Sequence, residues 1–165
     1  MNFLARFIGT VAFVGYVRPA PGTWGSLVAL PWGWALHQLG GAPLLIAGIV
    51  LVFLAGWWAT RVWTAQGGDS DPSEIVADEV VGQWIAILPL SLVASARGID
   101  VLAMWPGWIA AFVLFRLFDI WKPWLVGWAD RLHSPLGVML DDVFAGLFAA
   151  AAMLGLAAFA HGVLM

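Results

Sequence analysis

The chain has 165 residues, of which 62% are hydrophobic and 10% charged, with a formal net charge of −3 and a mean hydropathy of +0.92. A soluble domain carries roughly 25% charge and about 45–50% apolar residues, so lipid must solvate part of this chain. The acidic balance excludes nucleic acid as a partner, and the absence of cysteine excludes disulfide scaffolds, thiol catalysis and Cys-based metal sites. These bounds predict one all-α domain over residues 1–165. It is a polytopic membrane helical bundle with about four to five spans and an interfacial amphipathic helix.

Residues 2–17 read as a short helix interrupted by Gly9 and Gly15, interfacial or re-entrant rather than spanning. No small-residue cleavage pattern follows the apolar run, so the segment reads as retained and not as a signal peptide. In Arg18–Ser26, RPAPGTWGS, two prolines and two glycines argue against a continuous helix. Its backbone N–H groups and the Thr23 and Ser26 hydroxyls suit an anion at the start of the next helix, or a plain capped loop.

Pro19 to Thr60 carries no formal charge. It predicts two crossings, Ser26–Leu39 and Leu44–Thr60, joined by the turn Gly40-Gly41-Ala42-Pro43. His37 reads as an interfacial polar residue. Asp71-Pro72-Ser73-Glu74 has capping-box form and predicts a helix from Pro72. Asp69-Ser70-Asp71 resembles a soluble phosphatase nucleophile motif only superficially, because a Gly-Gly turn rather than a strand precedes it. Asp78 and Glu79 then stand where a span enters lipid, with no further charge before Arg97. Val101–Leu114 returns across the membrane, and uncharged Val143–Met165 makes the last crossing.

Between these spans lies Phe115–Asp142, with seven of the seventeen Lys, Arg, Asp and Glu residues. Trp121, Trp124, Trp128 and Leu132 recur at helical spacing after Pro123 and predict an amphipathic helix in the headgroup plane. Even numbers of crossings separate the polar segments, which places them all on one side. Of the seven Lys and Arg residues, Arg97 alone falls on the other, so the motif face is cytoplasmic by the positive-inside rule.

Acidic groups at Asp78-Glu79, Asp119 and Asp141-Asp142 therefore converge, with Asp130 a further candidate. A set of oxygen ligands without Cys or spaced His points to a hard cation, Mg²⁺ before Ca²⁺ or Zn²⁺. Arg116 and Lys122 flank Asp119 at helical spacing and suit phosphate oxygens. Interfacial ion pairs alone would be the bland account of such charges.

PAPGTWGS (Pro19–Ser26), DPSEIVADEVVG (Asp71–Gly82), FRLFDIWKPW (Phe115–Trp124) and DR…GVMLDD (Asp130–Asp142) resemble, in order, the motifs of the phosphatidylglycerophosphatase A family. GYVR before the first motif and His133–Leu136 in the last loop depart from the family pattern. The resemblance implies Mg²⁺-dependent hydrolysis of phosphatidylglycerophosphate to phosphatidylglycerol in the cytoplasmic (inner) membrane. Asp78, Glu79, Asp141 and Asp142 are then the expected metal ligands. Glu79, Asp119, Lys122 and Arg116 are the expected catalytic residues, and Thr23, Ser26 and Arg131 the expected substrate contacts. Attack by water and an aspartyl-phosphate route both fit. The alternatives are a small carboxylate-bearing ion transporter, which predicts acids near span centres, or another Mg²⁺-dependent phospholipid headgroup enzyme.

Overall fold

The computed structural model describes residues 2–65 and 72–164, with side chains through residue 160. Every regular element among these residues is helical, and four helices are long and apolar enough to cross a membrane. The fold is a polytopic membrane helical bundle.

Helix α1, Phe3–Gly9, is capped by Asn2, whose side chain accepts from the Leu4 N–H at 3.0 Å. Seven residues rise only about 10 Å, too little to cross a bilayer. Exposed Phe3, Phe7 and Phe13 cluster, with Phe3 stacked on Phe7, Phe7 edge-on to Phe13, and Phe13 stacked on Tyr16. Arg6 lies over the Tyr16 ring and donates to its hydroxyl. Such an apolar face with a polar edge suits the headgroup boundary.

Helix α2, Pro21–Thr64, is two arms broken at Gly40 and at Gly41, whose φ of 64° favours glycine. A methyl on Gly48 would lie 2.8 Å from Leu36 Cδ1, yet these residues are about 18 Å apart along a straight helix. The arms therefore fold back as an antiparallel hairpin, with its turn inside the expected Gly40–Pro43. The expected loop is shorter than its prolines and glycines suggested. It ends at Ala20, whose left-handed backbone (φ 57°) sets Pro21 in the first helical turn, where a missing N–H costs nothing.

Helix α3, Ala77–Arg97, is the buried axis of the bundle. It does not start at Pro72 as its capping pattern predicted. The Val76 N–H donates to the Gly9 carbonyl at 2.8 Å, and Glu74 pairs with Arg18 at 2.9 Å. The Glu74 carboxylate, which a capping box would use, is thus engaged by Arg18, and the Val76 N–H bonds outside the helix. Asp69, Ser70 and Asp71 lie outside the described residues.

A 3-10 turn, Val101–Met104, leads into α4, Trp105–Trp121, which continues past the expected Leu114. Arg116 and Asp119 accordingly sit on a spanning helix and not on a surface connector. The expected Trp121–Leu132 helix is reduced to α5, Leu125–Asp130, because Lys122 and Trp124 adopt positive φ on either side of Pro123. Exposed Trp124 and Trp128 meet Phe148 and Phe144 edge-on. Helix α6, Pro135–Leu164, makes the last crossing and carries Asp141 and Asp142 near its start.

Small residues let the helices meet closely. A methyl on Gly82 would lie 2.4 Å from the Phe115 ring and 2.6 Å from the Asp142 carbonyl, and one on Gly146 would lie 2.4 Å from the Gly82 carbonyl. At one end of the bundle the Ala42 N–H donates to Ser95 Oγ at 3.1 Å, and Arg97 and Ile99 share a cavity with Met153 and Leu154 of α6. The first arm of α2, α3, α4 and α6 bring their charged ends together at the other.

Gly82→Val should destabilise the protein by about 1–3 kcal/mol, since the α3–α4–α6 crossing has no room for a side chain. Thermal unfolding in detergent measures this, and an unchanged midpoint would contradict the packing.

Candidate active site

Four helix ends surround a cavity of about 290 Å³. Ala20, Pro21 and Gly22 come from the start of α2, and Asp78 and Glu79 from the first turn of α3. Arg116 and Asp119 come from the end of α4, Lys122 from its C-cap, and Asp141 and Asp142 from α6. The segment through Pro72, Ser73 and Ile75 closes the remaining side.

Adjacent helical residues point about 100° apart, so each acidic pair splays. Asp78 and Glu79 on α3 and Asp142 on α6 place carboxylate oxygens within 4.8 Å of one another. Asp78 accepts from the Glu79 N–H at 3.0 Å, and Asp141 from the Asp142 N–H at 2.9 Å. Glu79 Oε2 and Asp142 Oδ1 are buried with no hydrogen-bond partner, and Asp142 is only 2% exposed. Among the described residues neither these two nor Asp78 forms an ion pair. Three carboxylates held this close in a buried place cannot all stay ionised without a counter-charge.

The cations in the lining are engaged elsewhere. Arg116 Nη1 lies 2.7 Å from Asp119 Oδ2, both groups being largely buried, and 3.5 Å from Ser26 Oγ. Lys122 Nζ bridges Asp130 and Asp141, at 3.1 Å from the latter. Burial alone would lower the Lys122 pKa, but hydrogen bonds and charge from Asp130 and Asp141 outweigh it and hold the ammonium above its ordinary value of 10.5.

Of the residues singled out in the sequence, Asp78, Glu79, Arg116, Asp119, Lys122, Asp141 and Asp142 line this one cavity. Thr23, Ser26 and Arg131 do not. Ser26 is buried behind it, donating to the Gly22 carbonyl at 2.8 Å, Thr23 is half-buried, and Arg131 is exposed. His133 is exposed and outside the lining, and His37 bonds Ser91 at 2.7 Å near the opposite end. Gly22 escaped the sequence reading as an individual residue. A methyl there would stand 2.0 Å from Glu79 Oε1 and 3.3 Å from Arg116 Nη1, so a side chain at this position would push both groups from their places in the cavity. The signal was the glycine directly after Pro21, masked by reading PGTWGS as loop.

Comparison with known proteins gives one consistent relationship. Residues 7–157 match the family described as Phosphatidylglycerophosphatase A. A Haemophilus influenzae phosphatidylglycerophosphatase A is 37% identical over 82% of this chain and 77% of its own length. An Escherichia coli protein of the same name is 36% identical over 79% of this chain and 70% of its own length. A Bacteroides thetaiotaomicron protein provisionally named phosphatidylinositol-3-phosphatase is 38% identical over 89% of each chain. No solved structure matches.

Lys122→Met should cost about 1–2 kcal/mol, a value discounted because the pair is partly exposed. A lysine raised in the folded state contributes fully below its unfolded pKa and loses that contribution only as pH climbs through the folded one. Lys122 itself therefore stays charged and contributes throughout about pH 7 to 9, so Lys122→Met should be the less stable protein at every pH in that range. Unfolding midpoints of both proteins across that range check it.

Proposed function

The chain belongs to the phosphatidylglycerophosphatase A family, and on that premise we propose that it hydrolyses the terminal phosphomonoester of phosphatidylglycerophosphate. The products are phosphatidylglycerol and inorganic phosphate, a step of phospholipid biosynthesis. The observation that carries the reading is the meeting of Asp78, Glu79 and Asp142 with Arg116 and Lys122 in one cavity at the charged end of the bundle. There a lipid phosphate can enter from the headgroup layer while its acyl chains stay among the spans.

Mg²⁺ is the proposed cofactor. The fit rests on donor chemistry: oxygen atoms from three carboxylates lie within 4.8 Å of one another, two buried oxygens lack partners, and no histidine lines the cavity. Asp78, Glu79 and Asp142 would hold the ion, with Asp141 beside them. When bound, it supplies Lewis-acid polarisation of the phosphoryl group and a more acidic water.

The chain's own residues do the rest. Arg116 and Lys122 bind the phosphoryl oxygens and offset the charge that spreads over them in the transition state. Asp119 anchors Arg116 and orients the attacking water. As the water oxygen bonds to phosphorus and gives up a proton, the bond to the glycerol oxygen breaks, and that oxygen takes up one proton in exchange and leaves as the alcohol. Asp141 holds Lys122 toward the phosphate. Arg18, Arg61, Arg116, Lys122 and Arg131 belong to segments at the charged end and Arg97 to the other, which supports a cytoplasmic active face.

The Bacteroides relative's name favours a second reading, a phosphoinositide monoester as substrate. Purified protein in detergent should release phosphate from phosphatidylglycerophosphate in preference to phosphatidylinositol 3-phosphate, and should stop on chelation. Turnover in excess chelator would overturn the metal assignment, and a preference for the inositol lipid would overturn the substrate. Glu79→Gln and Asp142→Asn should each lower kcat by about 100-fold or more while the unfolding midpoint is kept. Near-full activity in both would mean that other groups do the work.

A further inference from the structure

Below Glu79, helix α3 runs without charge as far as Arg97, yet one turn down it carries Gln83. This side chain is fully buried, and neither Nε2 nor Oε1 has a hydrogen-bond partner. A buried amide with nothing to bond is costly in lipid-surrounded protein, where leucine would be the more stable occupant. As structural glue between helices it would need a partner, and it has none.

Two other buried unpartnered groups, on the same helix and on α4, are complementary to it. Glu79 Oε2 lacks a donor, and the Arg116 Nε–H lacks an acceptor. An amide offers one of each. Glu79 and Gln83 stand four residues apart on one helix, and such residues share a face. Glu79 and Arg116 meet beside Gly22, where a single methyl would lie within 3.3 Å of both. Ser26, one turn along α2 from Gly22, reaches the same guanidinium at 3.5 Å. The polar site thus continues one turn into the membrane, and Gln83 belongs to that lower level.

The geometry points to Gln83 as a positioning residue: its amide N–H secures Glu79 Oε2 and its carbonyl takes the Arg116 Nε–H, fixing both groups when phosphate is bound. The inference rests on the phosphatase reading above. Arg116 has two uses for its guanidinium, the ion pair with Asp119 and the substrate phosphate. Holding it by Nε leaves both Nη groups free to serve them. Gln83 itself touches no reacting atom.

Gln83→Leu keeps the size and apolar packing and removes both hydrogen bonds. It should lower kcat roughly tenfold or more through misplaced groups, with the lipid KM nearly unchanged and the unfolding midpoint equal to wild type or higher. Gln83→Asn, too short to reach both partners, should lose kcat to a similar extent, but the cavity it leaves lowers its midpoint, so the stability criterion applies to Gln83→Leu alone. A kcat within about twofold of wild type, or a loss accompanied by a lower midpoint, overturns the role. If wild-type protein releases no phosphate from either lipid, the substrate reading fails instead. The role is then read from protection by inorganic phosphate against thermal unfolding, seen in wild type and lost in Gln83→Leu. Equal protection, or none in either protein, overturns it.

Discussion

Three carboxylates from two helices, Asp78, Glu79 and Asp142, share one buried space without a paired cation among the described residues. Ionised acids are costly at membrane depth and repel one another at this separation, so the arrangement is intrinsically unfavourable. It persists because apolar packing elsewhere in the bundle fixes the helices that carry it. The acids lie within a turn or two of their helix starts, where the headgroup region begins, and this limits the cost.

Glycine at the helix crossings makes the convergence possible. Gly82 and Gly146 let α3 and α6 touch backbone to backbone, which places Asp142 against the start of α3. Gly22 lets the first turn of α2 lie on Glu79 and Arg116. The glycines lower helix propensity, but side chains at Gly82 and Gly146 would separate α3 from α4 and α6, and one at Gly22 would displace the Glu79 and Arg116 groups that line the cavity. Close packing and the chemistry of the site thus depend on the same residues.

The cations divide into two tasks. Lys122, held in a left-handed cap before Pro123, ties the end of α4 to α6 and to α5 through Asp141 and Asp130. Arg116, on the preceding turns of α4, faces α2 and α3 as well as Asp119. Each therefore joins helices as well as presenting positive charge to the cavity. One turn below Glu79 on α3, Gln83 places a buried amide at a level where the sequence is otherwise apolar.

The membrane class, the spans and the clustering of charge at one end were legible in the sequence, because apolar run length and the spacing of charges are one-dimensional properties. So were the seven charged residues that line the cavity, since ionisable groups beside lipid-compatible helices stand out by their cost. Helix boundaries were less legible. Pro21 and the two glycines of its segment read as loop, but Ala20 can turn the chain and the partner helices favour a close approach. Helix α3 starts at Ala77 and not at Pro72, with the Glu74 carboxylate on Arg18 and the Val76 N–H on the Gly9 carbonyl. Only the tertiary structure decided that Asp142 rather than Asp141 joins Asp78 and Glu79, and that Thr23, Ser26 and Arg131 stay outside the cavity. Neighbouring helical residues point in different directions, and which one meets a partner depends on how the helices pack. Gln83 was invisible for the same reason: that a single amide in an apolar span is buried without a hydrogen-bond partner shows only once the helices are packed.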